Sequence, residues 1–256
     1  MIHNPVIDAM MARRSVRKFT DQKLDDETLE TIACAGFQAP FAGQLCSLIV
    51  TRRARLPFHA AVMFTICVDL HRMERIMARR GWKTVSNNLS LLFFGIQDAT
   101  LVAENLTIAA ESLGLGSCLL GNTPYEAPKL RKLYKLPPRV FPLVQLAMGY
   151  PDEEYPPRPR YPLEFSLFEE EYPELTDEMI TEAIKVMDEG YLSQGYYVKQ
   201  KAMIRLEKGR KETFTYEDYS WTEHISRKWG QWMEDPEDIL KPLRVCGFPI
   251  QGEKQD

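Results

Sequence analysis

The chain is poor in the residues that would settle its chemistry at once. Its five cysteines, Cys34, Cys46, Cys67, Cys118 and Cys246, form no C-x-x-C pair, and their number is odd. That excludes a disulfide framework and points to reduced, buried thiols in an intracellular protein. The four histidines, His3, His59, His71 and His224, never stand at i, i+3 or i, i+4 and never neighbour a cysteine. No metal site is expected from them. There is no basic excess: net charge is -4, which argues against a nucleic-acid binder. The longest apolar run, near Leu89 to Ile96, is too short to span a bilayer. The start, Met1-Ile2-His3-Asn4-Pro5, has no charged-then-apolar leader, so a cytoplasmic protein is expected. No G-x-G-x-x-G follows a strand-like run. Gly114-Leu115-Gly116 ends a helix instead of opening one, which rejects a dinucleotide fold of that kind.

What is present is a packed domain. Asn4-Pro5 reads as a cap with proline at the first helical position, for a helix to about Arg13. Asp25 caps a second helix whose Leu29, Ile32, Ala33 and Gly36 share a face, with a break from Gly36 to Gly43. Ser47 to Thr51 and Ala61 to Val68 are strand-like, and Arg72 to Arg80 is a short basic helix or loop. Gln97-Asp98 opens the clearest helix, apolar or small on nearly every face and ended by Gly114. Ser117 to Leu120 is a short strand, and Thr123-Pro124-Tyr125-Glu126 is a capping box. Val140 to Gly149 is a core strand, with Pro142 at its start or at an edge. The order favours an α+β fold with a mixed sheet around a central helix.

After Gly149 the composition changes. Residues 151–162 carry five prolines and read as an extended strap. Helices return after Tyr172. Leu175-Thr176 caps one with Ile180, Ile184 and Met187 on a face. Trp221, Ile225, Trp229 and Trp232 form an aromatic stripe that reads first as packing and second as a substrate cage. Arg52, Arg53 and Arg55 read as a solvated loop that could attract a phosphate.

Five motifs in order carry the chemistry. Arg13, Arg14, Ser15 and Arg17 offer guanidinium forks and a hydroxyl, the partners a phosphate monoester needs. Ala39-Pro40-Phe41-Ala42-Gly43-Gln44 is a loop. Asp98 with Asn105 and Leu106 lies on the central helix, before Gly114-Leu115-Gly116-Ser117-Cys118. Leu120-Gly121-Asn122 is a turn, and its glycine permits close backbone approach. Arg158-Pro159-Arg160 is a late basic pair.

Together these motifs resemble the FMN-dependent nitroreductase family, over roughly residues 5–165. The resemblance implies a nitroreductase-like sheet flanked by helices, a central dimer helix and a mainly helical C-terminal extension. The implied domains are an FMN-binding core, 1–165, and an extension, 166–256, wrapping the core or the partner subunit. It implies FMN, with NAD(P)H as electron donor and a nitroaromatic, quinone or similar small acceptor, in a homodimer that needs neither nucleic acid nor membrane.

The residue roles that follow are binding and tuning. No residue is expected to serve as catalytic acid or base, and none to hold a metal. Arg13, Arg14, Ser15, Arg17, Arg158 and Arg160 would hold phosphate and ribityl. Pro40, Phe41, Ala42 and Gln44 would lie against the ring from the other subunit, and Leu120, Gly121 or Asn122 would face N5. Gln44 stands where the family usually has asparagine, and Cys46 where glutamine is common. These departures motivate a rival reading, a flavin store or sensor. A dehalogenating or flavin-modifying branch is the third. Glu74 and Lys83 are present for it, without the tyrosine that the iodotyrosine deiodinase-like dehalogenases place between them.

Overall fold

In the computed structural model, residues 2–52, 55–207, 209–232 and 235–250 are described. The chain divides into two compact units, Met1–Tyr155 with Asp235–Asp256, and Pro156–Glu234.

The first unit is built on four strands, β1 (Cys46–Thr51), β2 (Val62–Asp69), β3 (Gly116–Leu120) and β4 (Val140–Gly149), in the order β1-β2-β4-β3. All three pairings are antiparallel. The parallel component comes from a single bridge, Ser15 to Ser117. Every residue of β2 is buried, as a strand covered on both faces must be. Val62, Phe64, Ile66 and Val68 join the main core, while Thr65, on the other face, accepts a hydrogen bond from the Gln145 amide at 2.9 Å. Pro142 is tolerated because β3 pairs only with the far half of β4, and a bulge at Ile66/Cys67 lies opposite it.

Before the chain leaves this unit it forms five α-helices: α1 (Pro5–Ala12), α2 (Asp26–Phe37), α3 (His71–Arg79), α4 (Asn88–Ser112) and α5 (Ala127–Tyr134). Asn4 and Asp25 cap α1 and α2 through their carboxamide and carboxylate oxygens. The central helix α4 starts at Asn88, not Gln97: Asn87 caps it through Ser90 N–H, and the apolar run from Leu89 is its first half. That run was too short to attract attention alone, yet the whole helix is long and apolar enough to cross a bilayer. Here it serves as a core helix, burying Leu92, Ala99, Val102 and Leu106. Two glycines let it sit close. A Cβ on Gly95 would stand 2.3 Å from Val68, and one on Gly36 would stand 2.6 Å from Leu106.

The expected capping box at Thr123 does not form. The Thr123 hydroxyl donates to Leu120 O at 2.7 Å and accepts from Gln145 N–H at 2.9 Å. Residues 121–126 are a turn, and α5 begins at Ala127. Tertiary partners outcompeted the local cap. Cys34 is exposed, against expectation, whereas the other four thiols are buried.

The chain returns to this unit through a late helix, Glu237–Val245. Leu243, Cys246 and Phe248 enter the main core. Arg139 locks the return: its guanidinium reaches Glu74 at 2.8 Å, Asn88 at 2.8 Å and Gly247 O at 3.1 Å, and lies over the Phe248 ring.

The second unit contains α6 (Asp177–Ser193), α7 (Tyr196–Gln200) and α8 (Trp221–Gln231); the late helix is therefore α9. Its core is aromatic, with Met187, Tyr191, Tyr197 and Tyr219 buried together. The buried face of α6 is Ala183, Met187 and Tyr191, while Ile180 and Ile184 stay exposed, a one-position rotation from the expected face. Buried Arg227 bonds Glu212, Glu223 and Ile204 O, each at 2.7 or 2.8 Å.

Candidate functional site

After α1 the chain runs extended beside β3. Val16 N–H donates to Ser117 O and Thr20 N–H to Tyr150 O, both at 2.9 Å. Val16 and Phe19 are buried and pin the ribbon. Gly116 sets how close it comes, because a Cβ there would lie 2.5 Å from Val16. Lys18 is already paired with Asp152 at 2.6 Å, and Glu153 takes the Arg17 backbone N–H at 2.7 Å. Among the described residues no carboxylate lies within ion-pair distance of the Arg13, Arg14 or Arg17 guanidinium.

The surroundings concentrate that charge. Burial raises the Glu111 carboxyl at the end of α4, and Arg14 and Arg13 oppose the rise. Glu111 Oε1 and Arg14 Nε are both buried with no hydrogen-bond partner among the described residues. Burial also raises the Cys118 thiol on β3, against Arg17 and Arg13. β3 then delivers Leu120, Gly121 and Asn122 to an exposed turn. A Cβ on Gly121 would meet nothing within 4 Å, so the packing of this chain does not ask for glycine there.

The loop carrying Pro40, Phe41, Ala42 and Gln44 lies between α2 and β1. Buried Asp98 fixes it, accepting from the N–H groups of Ala42 (2.6 Å), Gly43 (3.1 Å) and Leu45 (2.8 Å). Arg72 fixes it from the other side through Gln44 O (2.9 Å) and Cys46 O, with Asp69 holding the guanidinium at 3.1 Å. Gln44 is left-handed, φ 51°, strained for a residue other than glycine or asparagine. Phe41 is largely exposed, and with Phe37, Gln44, Cys46, Arg72 and Val102 it lines a cavity of about 220 Å³. Burial pushes the Cys46 thiol up to about 12, so it stays protonated and unreactive at neutral pH.

The two groups of residues do not meet in one chain. The loop precedes β1 and the arginine ribbon flanks β3, the opposite edges of the sheet. Three strand spacings separate those edges, about 14 Å. Arg158 and Arg160 belong to the second unit. There Arg158 reaches Gln194 at 3.1 Å and stacks on Tyr196, while Arg160 bonds the backbone of Arg158 and Pro159. Arg52 pairs with Asp26, and Arg53 lies outside the described residues. Asp98 as the loop anchor, and Arg72 beside it, were not foreseen. Their signals were a lone acid on a small-residue helix face and an Asp ending a buried strand.

An antiparallel sheet behind one long central helix, with an arginine ribbon at one edge and a carboxylate-anchored loop at the other, defines the nitroreductase fold. The nitroreductase family model matches residues 10–57 and 48–150, and the chain belongs to that family. It is 28% identical over 207 residues to the oxygen-insensitive NADPH nitroreductase of Salmonella typhimurium, covering 75% of this chain and 85% of that protein. It is 30% identical to an FMN reductase [NAD(P)H] of Bacillus subtilis, covering 73% and 81%. The structure of the Vibrio harveyi NADPH:FMN oxidoreductase complexed with NAD+ matches with a TM-score of 0.76 and 25% identity, over 95% of this chain and 98% of that one.

Proposed function

We propose that the protein is an FMN-dependent NAD(P)H oxidoreductase, a cytoplasmic homodimer that reduces nitroaromatics, quinones or similar small acceptors. The observation that carries the reading is the arginine ribbon: three guanidinium groups with no carboxylate partner among the described residues, beside an open glycine turn. A donor set of that kind fits a phosphate monoester, and the exposed turn fits the flat ring beyond it. Arg13, Arg14, Ser15 and Arg17 hold the phosphate. Leu120, Gly121 and Asn122 face the ring's hydride-accepting edge. Bound FMN supplies two-electron transfer, which is why the chain needs no catalytic acid or base.

The homodimer reading rests on two observations. The loop with Phe41 and Gln44 lies at the sheet edge opposite the ribbon, so only a second copy brings both to one flavin. The face that would bury is apolar: Phe93, Phe94 and Leu101 of α4 are exposed, as are Val6, Met10 and Met11 of α1, which packs on α4. We assign residues 1–165 to the flavin-binding core and residues 166–256 to a mainly helical extension, whose last helix, α9, belongs to the first unit.

The test is titration of the dialysed protein with FMN and with riboflavin, followed by light scattering. Tight FMN binding, weaker riboflavin binding and a dimer are expected. Equal affinity for both flavins, or a monomer with FMN bound, would overturn the assignment. The strained Gln44 and the inert Cys46 favour one alternative, a protein that stores or senses flavin. It would keep FMN bound without turning over NADH or NADPH.

A further inference from the structure

The second unit holds a cavity that the flavin reading does not use. It has about 500 Å³ and lies wholly within residues 156–234, between α6, α8 and the segment before α8. Trp221, Ile225 and Trp229 recur every four residues and so share one side of α8. At its N-terminal end the stripe is anchored: Trp221 packs on the aromatic core and stacks on Tyr191 at 6.2 Å. Farther along, α8 buries Arg227 on another side, Trp229 remains 76% exposed, and all three stripe residues line the open volume. Tyr161 meets Trp221 edge to face at 5.7 Å, and Phe214 closes the far wall.

The same cavity is anionic. Asp188, Asp218 and Glu223 line it, and among the described residues no lysine, arginine or histidine does. Glu223 is held by Arg227 at 2.7 Å, but that guanidinium also carries Glu212. Among the described residues, the Asp188 carboxylate is bonded only by neutral donors, Thr222 N–H at 3.0 Å and Thr222 Oγ1 at 2.6 Å. Asp218 is bonded by Thr215 N–H and by Thr215 Oγ1 at 2.8 Å. Neutral donors leave the full negative charge in place, and neither aspartate has a cation within ion-pair distance among the described residues. Tyr161 and Asp188 both line the cavity, and the Tyr161 hydroxyl is raised by burial first and by the charge of Asp188 second.

Aromatic faces attract cations, and carboxylates of one sign repel nucleotides and other anions. We propose that this cavity binds a small organic cation, an amine or quaternary ammonium with a hydrocarbon or aromatic body. The rings take the body, and Asp188 and Asp218 take the charge. The site is independent of the flavin assignment.

Calorimetric titration of the full-length protein with benzyltrimethylammonium tests it, with benzyl alcohol and benzoate as neutral and anionic controls. Saturable binding of the cation, and of neither control, is expected. Trp229→Ala and Asp218→Asn should each weaken it by about 3- to 30-fold. Both side chains are exposed, and asparagine keeps the oxygen that Thr215 uses, so the fold is retained; circular dichroism checks this. No saturable binding to the wild type, equal binding of the controls, or unchanged affinity in both folded variants would overturn the proposal.

Discussion

The two edges of the sheet solve opposite problems. At the β1 edge, a loop of awkward backbone is nailed down: Asp98 takes three of its N–H groups and Arg72 two of its carbonyls. At the β3 edge the backbone is easily satisfied by neighbouring strands, while among the described residues no carboxylate pairs with Arg13, Arg14 or Arg17 and Arg14 Nε is buried without a hydrogen-bond partner. One edge spends charge on holding shape, and the other keeps charge in reserve. A preorganised wall and an electrostatically hungry cradle are what a bound anion with a flat body requires. The topology puts them on opposite sides of one chain, which makes the second copy part of the proposed site.

The comparison breaks most visibly at the β1 edge. Asp98→Ala removes a buried charge-assisted acceptor from three donors and should cost about 3–5 kcal/mol, read as a lower urea midpoint. A loss below about 1 kcal/mol would mean that the loop holds itself.

At the β3 edge the expectation reverses. Arg13→Ala and Arg17→Ala should leave thermal stability nearly unchanged and weaken FMN by about 10- to 100-fold each. Riboflavin affinity should hardly move. Equal losses for both flavins would place the arginines elsewhere than on the phosphate.

Glu212, in the second unit, offers a pH test. Its bonds to Arg227 hold its carboxyl down to about 2, well below its ordinary 4.5. A depressed acid adds stability that is complete above its unfolded value and lost as pH falls through the folded one. Unfolding of that unit should therefore become easier between pH 4.5 and 2, and Glu212→Gln should flatten that slope.

The smallest effect sharpens the contrast. Gln44 holds a left-handed conformation that asparagine adopts more readily, so Gln44→Asn should raise stability by about 0.5–1 kcal/mol. A decrease in melting temperature would show that the longer side chain contributes something the backbone argument omits.

Much of this was legible in advance where local chemistry decides. Asn4 and Asp25 capped their helices, the apolar runs became β1, β2 and β4, and Gly114 closed α4. The failures share a cause. Thr123 looked like a cap but was claimed by Gln145 across the sheet, and α4 extended nine residues upstream because the core, not the periodicity, supports its first half. Asp98 was visible as part of a family pattern, yet its role depends on three N–H groups more than fifty residues away. The aromatic stripe of α8 was read first as packing, and Trp221 does pack on the aromatic core; Trp229, 76% exposed, lines a cavity instead.

The central claim is that this cradle holds FMN in a working oxidoreductase. The most direct measurement is an anaerobic absorbance spectrum of the FMN-loaded protein on addition of NADPH, then NADH. The account predicts that the bound-flavin bands bleach with at least one donor and return with a quinone or nitroaromatic. Bound flavin that stays oxidised with both, yet bleaches with dithionite, would contradict it and favour the flavin-storing alternative.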